Sequence, residues 1–174
     1  MTRPGAPRAR TRSDLRQQRR PRSHHCWDHI LLAPLWPKHD ANLGTLLRTC
    51  DAVGACLVVT RQAWVRRALE KGNTLRRSSC VHRVADPLHW LEAQRNAGSR
   101  LLAVELADEA IRVGDLPAAR QRTVVMLGHE SDGVPPEALA LADDVVEIPM
   151  IGTGLSLNVA VAGSLVAYKL AGML

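Results

Sequence analysis

Short, unbroken apolar runs recur along this chain and alternate with stretches whose apolar residues return every three or four positions. HILLAPL (29–35), CLVVT (56–60), RLLAVEL (100–106), TVVMLG (123–128) and VVEIP (145–149) predict strands, and those at 100–106 and 123–128 have the continuous apolar character of strands buried on both faces. CVHRVA (80–85) predicts a weaker one. Between them, Leu43, Leu46, Leu47 and Val53 fall at helical spacing within NLGTLLRTCDAVG (42–54), with Gly54 placed to cap. RQAWVRRALEKGN (61–73) reads as a basic amphipathic helix, Pro87 suits the first turn of PLHWLEAQRNAG, and PPEALALA (135–142) gives a short helix. A last helix is expected from near Ser156 to about Gly172. Such alternation predicts an α/β fold: a mostly parallel central sheet with helices on both faces.

The chain has 174 residues, enough for one domain with a real core, and only Trp27, Trp36, Trp64, Trp90 and Tyr168 are aromatic, so that core is aliphatic. Charge divides the chain further. Residues 1–25 hold eight arginines against Asp14 alone, and this apolar-poor arm is expected to be disordered, leaving 26–174 as the folded domain. The arm suits a polyanion through salt-sensitive phosphate contacts. It reads equally well as a solvated tail or as a start assigned too far upstream. Residues 61–100 are basic, nine groups against three, whereas 101–174 are acidic, ten against four.

Cys26, Cys50, Cys56 and Cys80 form no CxxC pair, which favours reduced thiols in a cytoplasmic setting over a zinc framework. HHCWDH (24–29) lacks a second ligand cluster, and no metal is expected.

The stretch VEIPMIGTGLSLNVAVAGSLVAYKL (146–170) looks at first like a membrane or phosphate-binding segment. Ser156, Asn158 and Ser164 interrupt its apolar run, which is shorter than the ~20 residues of a span, so no membrane segment is expected. Leu157 stands where a dinucleotide loop needs its third glycine, and no Walker lysine follows. A sharp turn beside a helix start remains, displaying Ser156 and Asn158, and by itself it fits helix capping as well as a site. Glu130, in the glycine-flanked loop LGHESDGVP after a buried strand, occupies the place where α/β sheets bind ligands.

Three ordered patterns, NxGxxxR at 42–48, LGxExxG at 127–133 and IPMxGxxxSLN at 148–158, resemble the motifs of the SpoU (TrmH-like) RNA ribose 2′-O-methyltransferases of the SPOUT superfamily. The resemblance covers residues 29–174 and implies a C-terminal deep trefoil knot. It implies S-adenosyl-L-methionine bound by Leu127, Gly128, His129, Ile148, Met150, Leu155, Ser156 and Leu157. Arg48 is implied as the group that activates the ribose hydroxyl, either as base or with an RNA phosphate. Asn42, Glu130, Ser156 and Asn158 are implied in support, with Glu130 positioning Arg48 or neighbouring backbone. The family also implies a homodimer burying the final helix.

With no large RNA-recognition domain beside the motifs, tRNA is the favoured substrate and ribosomal RNA the alternative. The basic segment 61–83, with Arg61, Arg66, Arg67, Lys71, Arg76, Arg77 and Arg83, is the expected RNA surface. Two rivals are a non-catalytic RNA binder, disfavoured by the intact motif residues, and a dinucleotide oxidoreductase, which lacks the fingerprint glycines.

Overall fold

The structure is a computed structural model describing residues 30–72, 80–154 and 156–174; the arm at 1–25, the HHCWDH stretch, Arg76, Arg77 and Leu155 lie outside the described residues. Among the described residues, seven strands form one sheet in the order β3-β2-β1-β6-β4-β7-β5. They are β1 Ile30–Pro34, β2 Cys56–Thr60, β3 Val81–Val84, β4 Arg100–Val104, β5 Ile111–Arg112, β6 Thr123–Leu127 and β7 Asp144–Glu147. Every pairing is parallel, as the alternating pattern predicts. The chain steps outward from β1 through β2 to β3, then crosses over, and β6 later inserts between β1 and β4. That reversal creates a switch point at the carboxyl ends of the central strands.

Among the described residues, five α-helices cover the sheet: α1 Asp40–Val53, α2 Ala63–Gly72, α3 Pro87–Asn96, α4 Pro136–Leu139 and α5 Val159–Leu170. The period of two splits each central strand between two aliphatic layers. Leu32, Leu57, Leu102 and Val125 face the layer that receives α1, α2 and α5. Leu31, Val58, Leu101 and Val124 face α3 and α4. Leu43, Leu46 and Leu47 bury the predicted stripe of α1, and Gly54, at φ 76°, returns its N–H to Cys50 O.

Two details depart from the sequence reading. The last helix begins at Val159, later than expected, because the Asn158 carboxamide caps it by accepting from the Ala160 and Val161 amides. The two-residue β5 was not predicted; its only signal is pairing with β7. Helix α5 lies tightly on α1 and β6. A Cβ on Gly163 would come 2.7 Å from Leu127 Cδ1 and 2.9 Å from Leu46 Cδ2, and Thr49 Oγ1 and Ser164 Oγ share a hydrogen bond of 2.7 Å. This packing brings the end of the chain back to the mouth of the β6 loop.

Candidate active site

The loop after β6 is closed on itself. His129 and Gly133 exchange both main-chain hydrogen bonds, His129 N–H to Gly133 O at 2.8 Å and Gly133 N–H to His129 O at 2.9 Å. A Cβ on Gly128 would overlap the main chain of Gly133 and Val134, so the turn closes only with glycine there. Gly133 has φ +70°, and a Cβ on it would overlap the Glu105 carboxylate. Glu105, just past β4, accepts from the Val134 amide at 2.9 Å and the Leu106 amide at 3.0 Å. It buttresses the loop from the neighbouring strand. Sequence reading missed Glu105, since no motif contains it.

The turn aims Glu130 at the start of α1. Its Oε2 accepts from the Lys38 amide at 2.9 Å, and its Oε1 from the His39 amide at 3.2 Å and from Asn42 Nδ2 at 2.7 Å. Asn42, 7% exposed, then accepts from Asn158 Nδ2 at 2.9 Å through Oδ1. Asn158 Oδ1 in turn holds the first amides of α5. One residue from each motif therefore enters a single relay, Glu130–Asn42–Asn158, that joins two helix starts to the β6 loop. Burial raises the Glu130 pKa, but hydrogen bonds from its own main chain, Asn42, Lys38 and His39 outweigh this and hold it below the ordinary carboxylate value. An ionised carboxylate before α1 also sits at the favourable end of the helix dipole. Neighbouring backbone, one of the partners anticipated for Glu130, is seen here together with Asn42.

An open cleft of ≈ 290 Å³ lies beside this relay. Leu127, Gly128 and His129 form one wall, while Ile148, Met150, Ser156 and Leu157 form another, so the described part of the expected cofactor set meets in one place. The floor comes from Val104, Val146, Val159 and Ala162, and Glu105 and Leu106 close a side. The first of these strand-end residues are bland in sequence; only the order β6-β4-β7 reveals that they share a pocket. Apolar walls with a few polar groups and accessible main chain are what a small organic ligand needs.

The family model described as the SpoU rRNA Methylase family matches residues 30–168. The chain belongs to that family. A relative from Aquifex aeolicus, tRNA (guanosine(18)-2′-O)-methyltransferase, is 32% identical over 135 residues, which cover 76% of this chain and 64% of that protein. Among solved structures, the SpoU methyltransferase AviRb from Streptomyces viridochromogenes, in complex with the cofactor AdoMet, superposes with a TM-score of 0.65 at 27% identity, covering 87% of this chain and 59% of the other. Another, described for 2-OH methylation of C/U34 on tRNA, gives a TM-score of 0.68 at 29% identity and covers 83% of this chain and 96% of the other.

In this SpoU chain the remaining predicted residues are more dispersed. Arg48 lies on the exposed side of α1 and is not among the residues lining the cleft. Arg61, Arg66 and Arg67 are exposed on and before α2, with Arg66 3.6 Å from Glu70, and Arg83 is exposed on β3. Arg61 directly follows β2, so it stands at the same end of the parallel sheet as the cleft. Among the described residues, no helix is long and apolar enough to cross a membrane.

Proposed function

We propose that this SpoU chain transfers a methyl group from S-adenosyl-methionine to a ribose 2′-hydroxyl of RNA, with tRNA the favoured substrate and ribosomal RNA the alternative. One observation carries the reading: the relay Glu130–Asn42–Asn158 draws the three motif segments around a single cleft of suitable chemistry. The residues present fit the cofactor. Leu127, Ile148, Met150 and Leu157 supply apolar walls for an adenosine, and Gly128 lines the cleft beside them. When bound, S-adenosyl-methionine supplies an electrophilic methyl on a sulfonium. The knot implied by the motifs makes residues 148–158 its threaded turn, and Ile148, Met150, Ser156 and Leu157 lining the same cleft as the β6 loop support this.

The chain's own work is to bind, orient and handle one proton. A ribose hydroxyl attacks only as its proton leaves. Glu130 is a poor acceptor, because its lone pairs already serve Asn42 and two amides and its pKa is lowered. Its role is to fix the loop. As a pure hydrogen-bond donor, the Arg48 guanidinium orients the hydroxyl and an adjacent RNA phosphate, and the hydroxyl proton passes by way of that phosphate to solvent water as the new C–O bond forms. Ser156, exposed on the cleft wall, faces the incoming ribose, and Asn158 holds the start of α5. Arg61, Arg66, Arg67, Arg76, Arg77 and the arm at 1–25 hold RNA phosphates, leaving base choice to shape.

The working form is a homodimer, supported by exposed apolar side chains around the C-terminal segment: Ile151 at 104% exposure, Val161 at 47% and Leu174 at 69%. It acts in the cytoplasm as a single 26–174 domain with the arm attached. Transfer of labelled methyl groups into total tRNA and into ribosomal RNA, followed by nucleoside analysis, tests the substrate. Arg48→Ala is expected to lower transfer by at least about 10²-fold, a typical contribution from proton-handling groups, with little change in S-adenosyl-homocysteine affinity. A folded wild-type chain that binds neither the cofactor nor its product, with or without RNA, would sink the reading.

A further inference from the structure

At the opposite end of the sheet from the cleft, three metal-ligating side chains converge. Cys56 opens β2, and Cys80 directly precedes β3. The register Leu57↔Val81, with Leu57 N–H donating to Cys80 O at 3.0 Å, sets Cys56 beside Cys80. The two-residue period then puts His82 on the same face as Cys80, the face covered by α3. Cys80 Sγ lies 3.4 Å from His82 Nε2, and the ligand atoms of all three residues fall within 4.8 Å of one another. Cys56 is fully buried, whereas Cys80 and His82 keep partial access to solvent, which gives an ion a way in.

We propose that Cys56, Cys80 and His82 form a zinc(II) site. Two thiolates balance the divalent charge, the imidazole supplies a third ligand, and water takes the fourth corner of a tetrahedron. A tetrahedral ion with ordinary Zn–S and Zn–N bonds separates sulfur from nitrogen by about 3.6 Å and sulfur from sulfur by about 3.8 Å. The present spacing needs at most about 1 Å of closure to reach those values. Sulfur ligands select zinc over magnesium or calcium. Binding releases the two thiol protons to solvent and changes no oxidation state. The ion would staple β3, an edge strand, to β2.

The sequence hides this site, because the two cysteines stand 24 positions apart and only strand register joins them. The test uses the full chain, loaded with zinc under reducing conditions, desalted, and assayed for metal by mass spectrometry and chelator competition. One zinc per chain is expected, and cobalt(II) in its place should show thiolate charge-transfer absorption. Cys56→Ser risks the fold at a fully buried position, so Cys80→Ser and His82→Gln are the informative variants. Cys80→Ser should retain no more than about a tenth of the ion, and His82→Gln should bind at least about tenfold more weakly. His25→Ala/Cys26→Ser, which removes ligands from the HHCWDH stretch, should keep it. The proposal is overturned if reduced wild type retains no zinc, if Cys80→Ser retains it fully, if the His25/Cys26 control loses it, or if the chain isolates with a Cys56–Cys80 disulfide that excludes the metal.

Discussion

Replacing Asn42 by alanine removes the middle of the relay and leaves its two ends facing a gap. Asn42 donates to the ionised Glu130 at 2.7 Å and accepts from Asn158 at 2.9 Å. A hydrogen bond to a charged group contributes about 1.5–3 kcal/mol and a neutral one about 0.5–1.5 kcal/mol. Glu130 and Asn158 both retain contact with solvent, so water replaces part of what is lost. The expected cost is therefore ~2–3 kcal/mol, in the lower part of the summed range. For a domain of this size that lowers Tm by about 5–10 °C. Urea titration should show the same loss as a fall in midpoint at constant m-value. The Asn42→Ala/Asn158→Ala pair should be less damaging than the sum of its parts, by about 0.5–1.5 kcal/mol.

Asn42→Asp sharpens the test, because it keeps the shape but sets a second carboxylate against Glu130. Crowding two carboxylates raises the folded-state pKa of one of them, so the deficit is largest at neutral pH and shrinks as the pH falls through that raised value. A loss below about 0.5 kcal/mol in Asn42→Ala, together with additivity towards Asn158→Ala, would refute the relay as a coupled unit.

Other expectations follow from the same geometry. Because the folded-state pKa of Glu130 is lowered, its stabilisation is present above the ordinary carboxylate value near 4.5 and is lost as acid takes the pH through the lowered one. The stability gap between wild type and Glu130→Gln should accordingly narrow below about pH 4.5 in acid titrations followed by circular dichroism. Gly133→Ala should cost at least about 1 kcal/mol from its left-handed backbone alone. Removing the side chain it meets, in Gly133→Ala/Glu105→Ala, should recover part of the collision, so full additivity in melting experiments would contradict the buttress. Arg67→Ala/Arg83→Ala should weaken RNA binding and reduce the slope of log affinity against log salt by about 1–2 units in filter binding; an unchanged slope removes that surface from the RNA path.

Much of the fold was legible because apolar runs and helical stripes mark their own elements: CLVVT is β2 to the residue, and Gly54 ends α1 as its position suggests. The site was legible where a motif residue is also a backbone necessity, as at Gly128, or where its side chain serves a cap, as at Asn158. Order within the sheet was not. No local pattern says that β6 lies between β1 and β4, so Val104 and Glu105 gave no sign of facing the loop at 128–134. Strand β5 is too short for a period to show, and its pairing with β7 is a purely tertiary fact. Cys56 and Cys80 likewise became neighbours only through register.

The placement of β6 has a consequence in time. On a ribosome the chain emerges from its N-terminus, and β1 to β5 are complete before the strand that joins β1 to β4 exists. Until residue 127 appears, β1 and β4 each hold an open edge with no partner between them. Long-range parallel pairing of this kind is slow, and exposed edges invite association with other chains. The cleft comes later still, because one of its walls and the cap of α5 lie in the last 27 residues. A nascent or truncated chain thus has no finished ligand site, and full-length synthesis itself becomes the checkpoint that separates a competent molecule from an unfinished one.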